Sequence, residues 1–260
     1  MQKGLILIAI MVFLSACAGN FKEMRRVSAP QVKMAMAKLE QNDNQGALIE
    51  LKKAEDANPY DPEVYYGLAL TYRQWDKPAV ALTYIDKAIR YGDKLGYEHP
   101  GMKSEAYNLK GDILFMLKRN EEAIEAFKNA LKDDLYTTPE FSLHNMALVY
   151  AAMGKADEAQ KSLDRALDKN PHYAPAWFAL GQIYIQKGES VAAINALRHA
   201  ILEFPDYTEA HWDIAQLYLK QGDTRSAASH LKEVVRTDKD GPLGQRAQRA
   251  LTELGVYGEK

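Results

Sequence analysis

The chain has 260 residues, of which 47% are hydrophobic and 26% charged, a composition that can form a substantial core and is unlike that of a disordered protein. Its 33 basic and 35 acidic side chains give a formal net charge of −2. A general nucleic-acid binder normally has a basic face that neutralises phosphates, so this balance argues against that class. The single cysteine excludes an intramolecular disulfide.

The N-terminal residues have the pattern of a targeting segment. Lys3 precedes the apolar run Leu5–Leu14, which is too short to cross a bilayer of ~30 Å but suits the apolar region of a signal peptide. The run ends in Leu14-Ser15-Ala16-Cys17, which resembles a bacterial lipobox. The resemblance implies that residues 1–16 are removed and that the Cys17 thiol carries a diacylglycerol. An ordinary secretory signal cut after Ala16 and a buried N-terminal helix are the alternatives.

The residues that follow Cys17 bear on location. Ala18 and Gly19 come next, with no Asp beside the cysteine. By resemblance to enteric-type lipoproteins, this implies anchoring in the outer membrane, with the protein facing the periplasm. Residues 17–27 are then expected to form a lipidated tether, at most ~35 Å long when fully extended.

A repeat of about 34 residues fills the rest of the chain. Its copies begin at Ser28, Pro62, Ser104, Glu140, Ala174 and Thr208. Position 20 is always alanine, in the order Ala47, Ala81, Ala123, Ala159, Ala193 and Ala227. Position 8 is always Ala or Gly, and position 27 is alanine in all copies but the last, which has Val234. Small residues at these positions allow two helices to approach closely.

Other positions predict where the helices end. Position 15 is Gly154, Gly188 and Gly222 in the last three copies, where a left-handed residue would close the first helix. Position 32 is Pro59, Pro171 and Pro205 in three copies, which should stop the second helix.

This pattern resembles the tetratricopeptide repeat. The resemblance implies an all-α fold in which six repeats, residues 28–241, stack as a right-handed solenoid with a concave inner wall. Residues 242–260 are expected to form a capping helix and tail. Insertions interrupt the period at 92–101 and 135–139. Both are interpreted as loops that tolerate insertion, and the segment 92–101 is alternatively a contact surface.

We find no pattern that indicates catalysis. The chain has no Gly-rich phosphate loop, no HExxH and no GxSxG, and its six histidines form no i,i+4 pair. With Cys17 assigned to lipid, the sequence predicts no enzyme activity, no cofactor, no metal site and no small-molecule substrate.

Protein binding by the concave wall is the favoured interpretation. In this repeat class, first-helix positions 2, 5, 9 and 12 project into the concavity, where exposed apolar side chains are a usual sign of partner recognition. The candidates are Tyr66, Leu70, Phe115, Phe141, Leu148, Phe178, Ile185, Trp212 and Leu219. Alternatively, position 12 and part of position 9 only pack on the adjacent helix.

Lipobox and six repeats together resemble the PilW/PilF/Tgl family of type IV pilus lipoproteins. The most particular stretch is Leu135–Pro139 followed by His144–Tyr150, although Ala147 stands where that family more usually has glycine. The resemblance implies a pilotin, an outer-membrane lipoprotein that binds secretin subunits and promotes their localisation and multimerisation. The alternatives are a scaffold for β-barrel assembly and an adaptor that recruits cell-wall hydrolases.

Overall fold

The structure is a computed structural model that describes residues 2–96 and 101–256, with side chains from Phe21 onward within those ranges. The described residues form thirteen α-helices and no strand. The chain divides into two compact units, residues 1–137 (unit 1) and residues 138–260 (unit 2). The all-α fold predicted from the repeat is confirmed.

Unit 1 contains three helical hairpins, in which each odd-numbered helix pairs with the next. Its helices are α1 (Gln2–Glu40), α2 (Asn44–Ala57), α3 (Pro62–Gln74), α4 (Pro78–Leu95), α5 (Met102–Met116) and α6 (Asn120–Ala130). The hairpins are joined because α2 also contacts α3, and α4 contacts α5.

Unit 2 repeats the same arrangement and adds one helix. Its helices are α7 (Pro139–Ala152), α8 (Ala156–Lys169), α9 (Ala174–Lys187), α10 (Ser190–Glu203), α11 (Thr208–Lys220), α12 (Thr224–Thr237) and α13 (Pro242–Glu253). Helix α13 packs on α11 and α12 and caps this unit.

The small residues of the repeat lie where the helices of each hairpin meet. All six alanines at position 20 have no exposed surface, and the residues at position 27, from Ala54 to Val234, are equally buried. At position 8 of the third repeat, a Cβ on Gly111 would lie 2.5 Å from the Phe127 ring. The hairpins are therefore packed too closely for larger side chains at these positions.

The turn between the two helices of each hairpin has one conformation throughout. Position 15 has a positive φ in all six repeats, although only the last three have glycine there. The first three repeats place Asn42, Asp76 and Lys118 in this left-handed region, with φ of 60°, 54° and 61°. Asn and Asp tolerate this conformation better than Lys does.

Two elements are longer than the sequence predicts. Helix α1 runs through residues 17–27, so the predicted tether is helical, and its 11 residues rise about 16 Å rather than ~35 Å. Helix α4 has Asp93 at position 32, where three other repeats have proline, and it continues to Leu95. The insertion at 92–101 therefore begins as helix; its residues 97–100 lie outside the described part of the chain.

The capping helix is held by one carboxylate and one apolar face. Asp238 ends α12, and its Oδ2 accepts hydrogen bonds from the backbone N–H of Leu243 and Gly244 at 2.9 and 3.0 Å. Ala247 and Leu251 are fully buried against α11 and α12. In the part of the chain that the structure describes, no helix is long and apolar enough to cross a membrane.

Candidate partner-binding grooves

Unit 2 has a groove of about 390 Å³ along its first helices. Two of the predicted residues line it, Leu148 from α7 and Phe178 from α9. They are joined by His144, Gln182 and others at the same repeat positions and by Tyr207, which precedes α11. Positions 5 and 9 therefore project into a common groove, as the repeat register predicts.

Aromatic side chains contact one another at this groove. The ring of Phe178 stacks on Tyr207, with centroids 4.8 Å apart. Phe141, another predicted residue, lies beside the groove with its ring 5.3 Å from that of Tyr173. Leu148 is 39% exposed and Phe141 41%, so apolar surface remains open to a partner.

No charged side chain of the described residues lines the groove of unit 2. Burial lowers the pKa of His144, which keeps its imidazole neutral at pH 7, and its Nδ1 is buried without a hydrogen-bond partner among the described residues. The Gln182 amide donates a hydrogen bond to the Asp213 carboxylate of α11. Burial raises the pKa of Asp213 to about 6, opposed by the Gln182 hydrogen bond and assisted by nearby Glu209.

Unit 1 has a second groove, of about 500 Å³, between α1, α3 and α5. Its apolar part comprises Val32, Met36, Met102 and the predicted residue Tyr66. Burial raises the pKa of the Tyr66 phenol, with Glu105 and Tyr136 adding to the effect. Unlike the groove of unit 2, it has charged walls, formed by Lys33, Glu63 and Glu105.

Trp212 does not belong to either groove. Its ring packs with the apolar cluster beneath the capping helix, and the Arg246 guanidinium of α13 lies 4.5 Å from the ring centroid. The capping helix thus contacts the Trp212 ring, whereas Phe178 lines the groove of unit 2; that Trp212 contacts a partner stays a prediction. Repeat position alone could not predict this contact. An internal repeat is followed by the first helix of the next repeat, whereas the last repeat is followed by α13.

The remaining predicted residues are partly buried and line neither groove. Leu70 packs against the core of unit 1, and Ile185 packs against the α9–α11 core of unit 2. Phe115 lies under the Lys118 ammonium, 5.9 Å from the ring centroid, and Leu219 lies near the end of α11. Cys17 falls where no side chain is described.

The structure brings together two histidines that the sequence left apart. His211 Nδ1 and His230 Nδ1 are 3.0 Å apart, and His211 Nε2 is 3.1 Å from the Pro205 carbonyl oxygen. Because Nε2 of His211 donates to that carbonyl, its Nδ1 is the acceptor for an N–H of His230. Within the described residues, no group of three or more His, Cys, Asp or Glu side chains is placed to hold a metal ion.

Comparisons with known proteins agree with the repeat register. Models of the tetratricopeptide repeat match residues 32–94 and 76–136 in unit 1, and residues 150–206 and 189–251 in unit 2. The chain belongs to the tetratricopeptide repeat family. Proteins of this family generally serve as scaffolds or adaptors.

Individual tetratricopeptide proteins are also similar to it. The type IV pilus assembly protein PilF of Pseudomonas aeruginosa is 23% identical over 139 residues, which span 54% of this chain and 52% of PilF. A solved structure of Pseudomonas aeruginosa PilF superposes with a TM-score of 0.73 at 19% identity and covers 87% of this chain and 99% of the other. A structure of PilW, described as a widely conserved type IV pilus biogenesis factor, gives 0.73 at 20% identity, covering 85% and 98%.

Proposed function

We propose that this protein is an outer-membrane lipoprotein that binds secretin subunits and promotes their localisation and multimerisation in type IV pilus biogenesis. One observation carries the proposal: the fold similarity to PilF and PilW extends over nearly the whole of both solved chains, at a TM-score of 0.73 in each case. The lipobox-like sequence before Cys17 agrees with an envelope location.

The groove of unit 2 is the proposed secretin-binding site. It offers Leu148, Phe178 and Tyr207 as apolar and aromatic contacts, with the Gln182 and Gln186 amides beside them. Amide side chains can both donate to and accept from a peptide backbone, while the apolar surface takes side chains. An uncharged, partly apolar segment of the partner fits this lining better than a charged terminus. No catalytic role is proposed for it.

A charge placed in this groove tests the proposal. In Leu148→Arg, the guanidinium replaces an exposed apolar contact, and we expect secretin-subunit binding to weaken at least tenfold, about 1.4 kcal/mol. In cells, the heat-stable secretin multimer on immunoblots of unboiled membranes should fall to the level of a deletion strain. The matched control is Leu202→Arg on α10, where leucine is 72% exposed and lies outside the groove.

The outcomes separate the alternatives. A normal multimer in the deletion strain would reject the pilotin role and favour an adaptor for β-barrel assembly or cell-wall hydrolases. A normal multimer with Leu148→Arg but not in the deletion would move the binding site to the groove of unit 1 or to the 92–101 segment.

A further inference from the structure

The described part of α1 is basic in a chain that is slightly acidic overall. Residues 21–40 contain five basic and two acidic side chains, whereas the whole chain has 33 basic and 35 acidic. Lys22, Arg26 and Lys33 are all exposed. Their spacing of four and seven residues places them along one side of the helix.

An apolar row lies next to this basic row. The row consists, in chain order, of Val27, Pro30, Met34 and Ala37, and all four are exposed. Val27 is 50% exposed and Met34 51%. The spacings of three and four residues make the row continuous along the helix. We call the two rows together, Lys22, Arg26, Lys33, Val27, Pro30, Met34 and Ala37, the outer face of α1.

The opposite face of α1 provides its attachment to unit 1. Ser28, Val32, Ala35 and Leu39 are buried against the neighbouring helices. The Ser28 hydroxyl donates to Asp61 Oδ2 at 2.7 Å. The Arg25 guanidinium donates to Glu63 of α3. The helix is therefore fixed in orientation, and the outer face points away from the core of unit 1, with Lys33 at its border, where it also lines the groove of unit 1.

We propose that the outer face of α1 lies on an anionic lipid surface. A helix that rests in a membrane interface combines an apolar row, which enters the headgroup boundary, with basic side chains that contact anionic lipids. The outer face has both. The proposal goes beyond secretin binding, since it assigns the surface by which unit 1 meets the bilayer, and it extends the proposed anchor at Cys17.

The neighbouring charges leave the outer face positive. Glu23 pairs with Arg26 at 2.8 Å, but both side chains are more than half exposed, so this pair is weak and easily exchanged for a phosphate. Lys38 pairs with Asp43 at the end of α1, and Glu40, seven residues after Lys33, is an acidic residue at the C-terminal end of the basic row. Glu23 lies in line with Val27 and Pro30, at the N-terminal end of the apolar row. The three basic side chains Lys22, Arg26 and Lys33 outnumber Glu23 and Glu40, so the face keeps a net positive charge.

A fluorescent reporter on the apolar row tests this docking. The full chain carrying Met34→Cys, labelled with an environment-sensitive dye, is purified from membranes and reconstituted in phosphatidylcholine vesicles with or without phosphatidylglycerol, in the absence of secretin. We expect a blue shift and quenching by lipid-borne quenchers only in the anionic vesicles, and reversal by high salt.

A pair of charge reversals supplies the matched comparison. Lys22→Glu/Arg26→Glu should lower the ratio of docked to undocked helix by at least roughly thirtyfold, since each lost basic side chain near an anionic surface contributes about fivefold and the new carboxylates are repelled. Lys161→Glu/Arg165→Glu on α8 has the same spacing, exposure and charge change, and it should leave the signal unchanged.

Equal signals in neutral and anionic vesicles, or no blue shift in either, would overturn the proposal. So would the same loss in both double variants. A shift that requires added secretin subunits would assign the outer face to the protein partner instead. Because the vesicle measurement contains no secretin, a failure of the secretin assay and a failure of lipid docking are separate results.

Discussion

Two titratable side chains of unit 2 have pKa values shifted in opposite directions. Burial lowers the pKa of His230 to about 4, and the neighbouring His211 and Arg198 add to this, while Glu233 opposes it. Burial raises the pKa of Asp213 to about 6. Each shift makes stability depend on pH, because the folded and unfolded chains then bind different numbers of protons.

Acid should weaken the fold through His230. The unfolded histidine takes up a proton near pH 6.5, whereas the folded one stays neutral until about pH 4. The free energy of unfolding that this group contributes is therefore complete above pH 6.5 and is lost as the pH falls toward 4. In His230→Gln, the urea midpoint should fall less steeply between pH 6.5 and 4 than in the parent protein.

Asp213 should affect the pH dependence of stability in the direction opposite to His230. Its folded form holds the proton up to about pH 6, and its unfolded form only up to about 3.9, so this group favours folding as the pH falls. Asp213→Asn should therefore make acid destabilisation steeper and raise stability at pH 7. Identical slopes in the two variants would contradict both assignments.

Some residues of the groove can be predicted from the sequence and others cannot. Phe178 and Leu148 can be predicted because position in the repeat decides which way a first-helix side chain points. The same register also points to His144 and Gln182, which a search for apolar side chains passes over because they are polar. Tyr207 lies just before a helix, and the His211–His230 pair joins different helices, so neither follows from local spacing.

At the scale of the helical hairpin, tight contact between the two helices should be the most sensitive feature. Ala193 lies fully buried between α9 and α10. Ala193→Arg forces a long charged side chain into this contact, and we expect a loss of about 3 kcal/mol of unfolding free energy from overpacking and desolvation. Thermal and urea midpoints measure it.

Ala152→Arg is the control for that substitution. Ala152 is exposed at the end of α7 in the same unit, so the change there should cost less than ~0.5 kcal/mol. Equal midpoints for the two variants would mean that position 20 does not lie between the helices.

The hairpins themselves can be predicted closely from the sequence, and their ends less so. Alanine at position 20 and proline at position 32 are sufficient to predict the hairpins, because each acts within one repeat. The extension of α4 to Leu95 depends on a proline that is missing, and the left-handed Lys118 has no residue signal at all. At Lys118 the shared backbone of the hairpin decides the conformation over local preference.

For the whole molecule, the proposed lipid anchor at Cys17 would decide where the two units work. In Cys17→Ser, the hydroxyl oxygen cannot replace the thiol as acceptor of the diacylglycerol, so we expect an unlabelled and mislocalised protein. Labelling of cells with radioactive palmitate, followed by immunoprecipitation, measures this directly. Density-gradient separation of the membranes tests whether the parent protein is in the outer membrane.

Equal palmitate in the parent and in Cys17→Ser would refute the lipid anchor. An ordinary cleaved signal would instead give a soluble periplasmic protein with no label in either case. The chain has no second cysteine, so a thioester elsewhere cannot produce the label.

The order in which the helices pack has a consequence for how the protein forms. The main helix pairs in each unit join helices that are first or second neighbours along the chain. Contacts of short sequence separation require little loop-closure entropy, and proteins built from them fold in microseconds to milliseconds. Each hairpin can thus form once its own two helices are available, before the rest of the chain has followed. If the signal-like N-terminus directs export of the unfolded chain, as we propose, this locality would let folding begin at the N-terminal end while translocation is still under way.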